Sequence, residues 1–505
     1  MEENNPKLFL FCIGGTGARV LKALTFLLAS GANLKASKVI PIIIDPDNAN
    51  GDVQRTIEML KNYQAIRRRL EFQHNGFFKT DIQTLASLEA SDKEKNAGLR
   101  IDDSFRFDID GTRDGFFGNF IGHDTMSPAN RAMTDALFSD KNLALELSVG
   151  FKGNPHMGSV VLNQFKDSQE FKFFASRLGQ KDRIFIVSSI FGGTGAAGFP
   201  LLVKNIREAT DRLSNHDRLK NAPVGAITVA PYFGIEPDDT VAIDKNTFIA
   251  KTKAALEYYS DNLSGNSSLN ALYYIGDLAT KDYKPAEGKA EQMNDAHAIE
   301  LFSALSIFDF MNIPESELAC KEGRAETPYF KEYGILGDDS VLTLQNLGPI
   351  SKGIVVRPLT QYALAINFWN NRLKDAINKP ENWVRSATAP IKGDFLTTDF
   401  YNQQLLRFNK RFQEWLEEMM RNTRALQAFN INTPLLHTLA NGYVPMKKTF
   451  LGSEKPDQWG FDEYNFELSS EEAKLPGLEV EKRFMALFYK ATGRLFDQRF
   501  KALLG

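Results

Sequence analysis

Short apolar runs alternate with amphipathic stretches along the first 280 residues. The apolar runs have the length of buried parallel strands, and the stretches between them carry apolar residues at helical spacing. The predicted strands span residues 7–13, 39–44, 183–190, 224–230 and 269–275. The predicted helices span residues 18–29, 56–70 and 246–262, and a further helix is predicted to begin near residue 201. This alternation predicts an α/β fold with a Rossmann-like, mostly parallel sheet that carries helices on both faces.

The second half of the chain is predicted to be mainly helical. Residues 291–312 form one predicted helix with apolar side chains around most of its circumference, which indicates a buried core helix that Pro314 ends. Residues 353–359 are strand-like, and residues 362–369 are helix-like. Apolar stripes beyond residue 400 are typical of core or partner-helix packing. The predicted units are an N-terminal α/β domain over 1–290 with an insertion at about 52–148, the core helix 291–312, a second α+β domain over 313–395 and a helical C-terminal region over 396–505.

The composition excludes several classes of protein. The 505 residues carry 60 Lys and Arg against 63 Asp and Glu, a net charge of −3, so we expect no direct nucleic-acid binding. The cysteines, Cys12 and Cys320, form no CxxC pair, so we expect no thiolate zinc site and expect a reducing, cytoplasmic compartment. No run of about 18 apolar residues occurs, so we expect no transmembrane segment.

Two nearly identical glycine-rich turns, IGGTGA and FGGTGAAG, follow the predicted strands that end near residues 13 and 190. Glycine lets the backbone approach a ligand closely, and the helix that follows offers unpaired N–H groups and a positive dipole end. Such a turn suits a phosphate group, and ligands of open α/β sheets bind at the carboxyl ends of the strands. The candidate binding residues are Gly14, Gly15, Thr16 and Gly17 in the first loop and Gly192, Gly193, Thr194 and Gly195 in the second.

Tight strand–helix packing could also account for these glycines, although two matching clusters make packing alone a weaker interpretation. A Walker A motif is absent, because no Gly-Lys-Ser/Thr follows either loop. The second loop matches the GxGxxG dinucleotide fingerprint, but the strand after it ends near Ala230 without an acid for a ribose. The first loop has Asp45 at the next strand tip, but Val20 replaces its third glycine.

Asp45 and Asp47 lie in an Asp-Pro-Asp-Asn sequence directly after the second predicted strand. Carboxylates beside a phosphate site often hold Mg²⁺, directly or through water. The same sequence is also rich in turn-forming and helix-capping residues. We therefore predict a magnesium-linked role for both aspartates, with a structural turn as the alternative.

In these loops and in their order, the chain resembles the tubulin/FtsZ superfamily, and within it the divergent bacterial tubulin-like proteins. FGGTGAAG resembles the signature loop around the nucleotide phosphates, IGGTGARV resembles the first glycine loop, and IIIDPD resembles the strand that ends near the metal. GFKGNPHMG, with Gly153 and Asn154, resembles the loop that wraps the γ-phosphate. PYFGIEPDD, with Glu236, stands where the family contacts the ribose, and Asn294 stands near the start of the core helix, where tubulins read guanine. The resemblance covers residues 1–312.

The resemblance implies a GTPase domain that binds GTP or GDP with Mg²⁺ and self-associates head to tail. In polymerising members, the loop after the core helix supplies a catalytic acid to the nucleotide of the next subunit. Glu315 and Glu317 are the candidates here, by position only, because the family's NxDxxD pattern is missing and exposed loop glutamates are the simpler interpretation. The long insertion and Arg19, which replaces a frequent Asn or Gln, are further departures. An unidentified protein partner is expected for the C-terminal helices.

Three functional hypotheses follow from the sequence. The first is a tubulin-like GTP-binding protein that hydrolyses GTP and self-assembles into filaments. The second is a nucleotide-regulated binding protein that does not polymerise, which the degraded acid loop and the insertion favour. The third is a Rossmann NAD(P)-dependent oxidoreductase, for which the sequence offers no convincing ribose acid or catalytic residue.

Overall fold

A computed structural model describes most of the chain. It covers residues 5–47, 49–71, 76–91, 101–107, 109, 112, 115–151, 153–235, 245–277, 282–283, 294–333, 340–386, 389–448, 454–472, 474–475 and 477–505.

The strands carry the labels β1 to β16 in chain order. They are β1 (Lys7–Ile13), β2 (Lys38–Ile44), β3 (Asp81–Ile82), β4 (Arg106–Phe107), β5 (Arg183–Ser189), β6 (Val224–Val229), β7 (Gly234–Ile235), β8 (Ala271–Ile275), β9 (Asp282–Tyr283), β10 (Cys320–Lys321), β11 (Arg324–Ala325), β12 (Tyr329–Tyr333), β13 (Val341–Leu342), β14 (Ala425–Leu426), β15 (Met446–Lys448) and β16 (Glu454–Pro456).

The α-helices are numbered in the same way. They are α1 (Gly14–Ala29), α2 (Gly51–Leu70), α3 (Phe117–Phe120), α4 (Pro128–Leu137), α5 (Asp140–Leu143), α6 (Pro155–Leu162), α7 (Gln169–Arg177), α8 (Gly193–Arg207), α9 (His216–Lys220), α10 (Lys245–Tyr259), α11 (Ala298–Asn312), α12 (Pro349–Asn371), α13 (Leu373–Ala376), α14 (Leu406–Met420), α15 (Phe461–Glu472) and α16 (Val480–Arg499).

One parallel sheet organises the molecule. Its strand order is β12-β8-β6-β5-β1-β2-β3, and β4 also pairs with β2. Every pairing in this sheet is parallel, so the carboxyl ends of the strands lie along one edge. Because each face carries its own apolar core, the central strands β1, β2, β5 and β6 are buried on both sides, as their continuous apolar sequences predict. The predicted α/β class with a core helix and a helical C-terminal region is confirmed.

The two cores divide the helices between the faces of the sheet. One core packs α1, α2, the core helix α11 and the helices beyond residue 349 on one face. The other core packs α6, α7 and α8 on the opposite face. Because the first core runs without a break from α1 to α16, the C-terminal helices are built onto the sheet domain. The predicted domain boundaries at 313 and 395 stay a prediction.

The core helix is shorter than the sequence pattern predicted. It begins at Ala298 instead of residue 291, because His297 caps it: the His297 Nδ1 atom accepts a hydrogen bond from the backbone N–H of Ile299. The backbone N–H of His297 in turn donates to the Glu300 carboxylate. Residues 291–293 lie outside the described part of the chain. At the other end, the Arg183 guanidinium donates to the carbonyl oxygens of Phe310 and Ile313.

The strand-like interpretation of residues 353–359 was wrong. These residues belong to the 23-residue helix α12, which has Gly348 as its N-cap and Pro349 as its first residue. Val355 and Val356 are fully buried against the first core, so tertiary packing overrides their preference for strands. No helix among the described residues is both long and apolar enough to cross a membrane.

Candidate functional site

The two glycine-rich loops meet at the carboxyl edge of the sheet. They follow β1 and β5, which are neighbouring parallel strands. Gly14 takes a φ of +72°, and a Cβ placed on it would lie 3.7 Å from the Thr194 Cβ and 3.9 Å from the backbone nitrogen of Gly195. The first loop therefore lies directly beside the second, as expected for loops that serve one ligand.

The third loop, described at residues 150, 151, 153 and 154, packs against the second. A Cβ on Gly193 would lie 3.0 Å from the backbone nitrogen of Asn154 and 3.1 Å from that of Gly153. Gly153 itself takes a φ of +72°, which favours glycine. A Cβ on Gly158 would come within 2.8 Å of the Ala197 Cβ, so this glycine lets α6 lie close on α8. Three segments that are far apart in the sequence thus converge.

The helices behind the first two loops begin without side-chain caps. Their N-cap residues are Ile13 for α1 and Gly192 for α8, and within the described residues no side chain caps either end. Neither first turn contains an acid. The first N–H groups of a helix have no acceptor inside it, and the aligned peptide dipoles place positive potential there. Since Gly15, Gly192 and Thr194 are half-buried, an anion can reach these groups from solvent.

Part of the glycine content is required by packing alone. A Cβ on Gly17 would lie 2.6 Å from the carbonyl carbon of Cys12, and one on Gly195 would lie 2.5 Å from the carbonyl oxygen of Ser189. These neighbours are backbone atoms and cannot move aside. Gly17 and Gly195 hold each helix against its own strand, whereas Gly14 and Gly153 are needed for their positive φ. Close packing and the positive φ values therefore depend on different glycines of these loops.

Behind the first loop lies a buried charge network that the sequence did not predict. We call it the α1–α14 charge network. The Arg19 guanidinium donates to Asp52 at 2.9 Å and to Glu300 at 2.6 Å, and Arg55 donates to the same Asp52 at 2.6 Å. Its members are Arg19, Lys22, Asp52, Arg55, Glu300 and Glu418. On α1, Arg19 and Lys22 are three positions apart, and on α2, Asp52 and Arg55 are three positions apart. Residues at this spacing lie on one face of a helix, and this was the sequence signal that could have indicated the network.

The network reaches both the glycine loop and the C-terminal region. Arg19 Nη2 lies 3.3 Å from the Thr16 hydroxyl oxygen and 2.8 Å from the Tyr232 hydroxyl, which itself donates to Glu300. At the far side, Glu418 of α14 accepts from Lys22 at 2.9 Å and from Arg55 at 3.3 Å. Burial acts to lower the pKa of Arg19, but Tyr232, Glu300 and Asp52 raise it above its usual range. Arg19 is therefore a permanent cation behind the first loop.

Asp45 and Asp47 lie beside the first loop, because Ile44 at the end of β2 is in register with Ile13 at the end of β1. The Asp45 carboxylate accepts from the Asp47 backbone N–H at 3.0 Å, and the Asp47 carboxylate accepts from the Ala49 backbone N–H at 3.0 Å. Both side chains are buried, and burial raises the pKa of Asp45 to about 7. The described residues contain no group of three or more metal-ligating side chains. The pair forms a turn, and metal binding stays a prediction.

Two predicted contacts to the base and the ribose stay untested. Asn294 is half-buried ahead of α11, and its carbonyl oxygen accepts from Arg55 at 3.1 Å, so it lies beside the α1–α14 charge network. Glu236 falls outside the described residues.

Glu315 and Glu317 lie at the opposite edge of the sheet from the glycine loops. They are exposed on a single 3₁₀ turn directly after α11. That turn is anchored near the start of β5, through Arg183 and Ile313, whereas the second glycine loop follows the end of β5. The seven residues of β5 separate the two edges by about 23 Å. These glutamates therefore cannot act on a ligand held by the glycine loops of their own chain.

Comparison with known protein families and with curated proteins finds no match. Among solved structures, the chain is similar to CetZ2 from Haloferax volcanii, in a protofilament with GTPγS bound, at 12% identity and a TM-score of 0.28. The match covers 61% of this chain and 60% of that one, so it spans less than two thirds of CetZ2. A likeness this weak carries no information about activity.

Proposed function

We propose that this chain is a tubulin-like, GTP-binding protein that holds the nucleotide phosphates, with Mg²⁺, at the carboxyl edge of its sheet. The observation that carries the proposal is the convergence of three glycine-containing loops on two uncapped helix N-termini. These are the loops whose sequences and order resemble the tubulin/FtsZ superfamily. Backbone N–H groups and two helix dipoles would bind the phosphate oxygens there.

The proposal extends to head-to-tail self-association. The glycine loops and the Glu315–Glu317 turn occupy opposite edges of one sheet, so stacking two copies in the same orientation would bring one copy's glutamates toward the other copy's loops. A glutamate placed there would orient a water for attack on the terminal phosphate, while the loops stabilise the charge of the transferring phosphoryl group. Mg²⁺ would add charge neutralisation, with Asp45 and Asp47 as its candidate ligands beside the first loop.

The first experiment identifies the nucleotide. Protein purified without added nucleotide is denatured, and the released small molecules are separated by ion-pair chromatography. Release of a guanine nucleotide would support the proposal. Release of an adenine nucleotide would mean that the protein binds adenine and not guanine. Release of NAD(P) would support the dinucleotide-binding alternative instead.

A variant in the second loop tests the position of the phosphates. Thr194 is half-buried at the N-terminus of α8, and it lies next to Gly14. Thr194→Asp places a negative charge where the phosphates would lie, so we expect GTP affinity to fall about 100-fold or more. Thr194→Asn has a similar size without the charge and should keep affinity within about tenfold of the native protein. Equal affinities for both variants would place the nucleotide elsewhere.

Self-assembly is tested by nucleotide-dependent pelleting and electron microscopy. The filament hypothesis predicts GTP-dependent pelleting and, for the Glu315→Ala and Glu317→Ala variants, assembly without hydrolysis. GTP binding without any assembly would support the second hypothesis, a nucleotide-regulated protein that does not polymerise.

A further inference from the structure

The α1–α14 charge network connects the first glycine loop to the C-terminal helices. At one end Arg19 contacts the Thr16 hydroxyl of the loop, and at the other end Glu418 is supplied by the last turn of α14. We propose that this last turn is a regulatory element, and that its attachment lowers the affinity of the glycine loops for anionic ligands. The inference rests on the proposed nucleotide site and adds to it a means of control by the C-terminal region.

The sign of the effect follows from the charge balance of the network. Three cations face three carboxylates while Glu418 is in place, so the network is neutral. When the last turn of α14 opens, Glu418 leaves, and Arg19, Lys22 and Arg55 face only Asp52 and Glu300. Opening also separates Arg421 from Asp295, but those side chains are 56% and 28% exposed, so water and salt screen that pair. One positive charge is then left uncompensated in the network itself, behind the first glycine loop. Since a polyanion is stabilised by that charge, the open state binds phosphates more tightly.

The two ends of α14 are attached by different kinds of contact. Its first two turns are held by aromatic packing, with the rings of Phe408 and Phe412 about 5.5 Å and 5.4 Å from the ring of Phe26. Its last turn and the residues after it are also attached by polar contacts to the segment before the core helix. Glu418 accepts from the backbone N–H of Ala296 at 3.0 Å, and Arg421 donates to Asp295 at 2.9 Å.

Polar contacts of this kind open at a lower cost than an aromatic core. Water and salt reach Arg421 and Arg55, whose side chains are 56% and 34% exposed, whereas the Glu418 and Lys22 side chains are only 10% and 11% exposed. Local opening of a helix end is a common low-energy fluctuation. Met419 in this turn is fully buried in the first core, so opening of the last turn is a minor local fluctuation that leaves the aromatic contacts of the first turns in place.

The distance is short enough for a measurable effect. Thr16 and Lys22 are six residues apart on α1, which is about 9 Å along a helix axis. At that range a unit charge in a partly screened environment changes the affinity for a phosphate chain about three- to tenfold. Coupling is reciprocal, so a bound anion must also loosen the last turn of α14.

Two variants separate charge from packing. Glu418→Gln removes the negative charge and keeps the shape of the side chain, so we expect binding of Mg²⁺–GTP and of inorganic pyrophosphate to tighten about three- to tenfold in titration calorimetry. Adding Lys22→Met restores the neutral balance and should return both affinities to within about twofold of the native protein. Unchanged or weaker binding by Glu418→Gln would overturn the proposal. So would tighter binding that persists in the double variant.

The reciprocal effect is measured without any ligand. Thr194→Asp fixes a negative charge at the loop, so amide hydrogen exchange in residues 416–422 should be about twofold or more faster in this variant than in Thr194→Asn. Asp497→Asn, which removes a carboxylate paired with Arg357 elsewhere in the C-terminal region, is the control and should not change exchange in these residues. Equal exchange in the two Thr194 variants would also overturn the proposal.

The outcomes also separate this inference from the proposed function. If the native protein binds no guanine nucleotide, the proposed function fails. The amide hydrogen exchange of the two Thr194 variants still tests the coupling between the glycine loops and the last turn of α14. If the native protein binds GTP and neither readout responds, the nucleotide site stands and the regulatory role of α14 fails.

Discussion

The first and second glycine loops share the sequence GGTGA but have different surroundings. In the first loop the residue after this sequence is Arg19, whose guanidinium lies in the α1–α14 charge network and contacts the Thr16 hydroxyl. In the second loop the equivalent residue is Ala197, whose Cβ would lie 2.8 Å from a Cβ placed on Gly158 of α6. Thr16 is buried and Thr194 is half-buried. One motif is thus anchored by charge in one copy and by close packing in the other, and only the second copy leaves its threonine accessible.

The largest expected effect comes from breaking the charged anchor of the first loop. Arg19→Met would leave Asp52 and Glu300 buried without this partner, so the free energy of unfolding should fall by about 3–5 kcal/mol. Urea denaturation followed by circular dichroism measures the change. Adding Glu300→Gln to this variant should recover part of the loss. A loss below about 1 kcal/mol would mean that the network does not anchor α1.

The acid beside the first loop gives the next effect, a pH dependence. The pKa of Asp45 is raised from 3.8 to about 7 by burial, so the folded protein holds this proton more tightly than the unfolded chain does. This contribution to stability is complete below pH 3.8 and is lost as the pH rises to about 7. Between these values, the free energy of unfolding should fall by up to about 1.4 kcal/mol per pH unit from this group.

Asp45→Asn is the matched variant for the pH prediction. It lacks the titrating proton, so its stability relative to the native protein should increase from about pH 4 to about pH 7 in metal-free urea titrations. Parallel pH profiles for the two proteins would refute the raised pKa. Adding Mg²⁺ at about pH 8 tests the metal prediction separately: a magnesium site predicts stabilisation of the native protein and none for Asp45→Asn. The second loop has no equivalent, since the strand beside it, β6, ends at Val229 and is followed by Ala230.

Glycine replacement compares the packing of the two loops. Gly17→Ala and Gly195→Ala each place a methyl group against immobile backbone, so each should lower the free energy of unfolding by about 1–3 kcal/mol. Gly192→Ala is the control: its Cβ would lie 3.1 Å from the Ser189 hydroxyl oxygen, a side-chain atom that can rotate away. Its cost should be below about 0.5 kcal/mol. Similar costs at Gly192 and Gly195 would contradict the packing role assigned to Gly195.

The smallest expected effect on stability is at the opposite edge of the sheet. Glu315 is exposed on its turn, so Glu315→Ala should leave the urea midpoint of unfolding unchanged. Any loss of GTP hydrolysis in this variant would then report a role in an assembled neighbour and not a folding defect. A clear shift of the midpoint would show that this edge has a structural role.

Much of the fold was predictable from local pattern. The five buried strands and the helices between them follow from apolar runs and helical spacing, because burial on both faces imposes a continuous apolar sequence. The core helix was predicted, but its first residue was not, since the His297 cap depends on a side-chain contact that has no strong sequence signal. Residues 353–359 were misassigned because two buried valines look like a strand when their helical neighbours are ignored.

The sequence by itself determined the parallel sheet, the glycine loops that follow its strands and the order of those loops, because each depends on residues close together in the chain. Only the tertiary structure decided which loops touch, that Asp45 and Asp47 form a buried turn, and that Glu315 and Glu317 face away from the loops. It also joined Arg19 to Glu418, which are almost 400 residues apart. Contacts of this kind arise when strand order and helix packing bring distant segments together. The local periodicity of the sequence does not depend on these long-range contacts, so it cannot predict them.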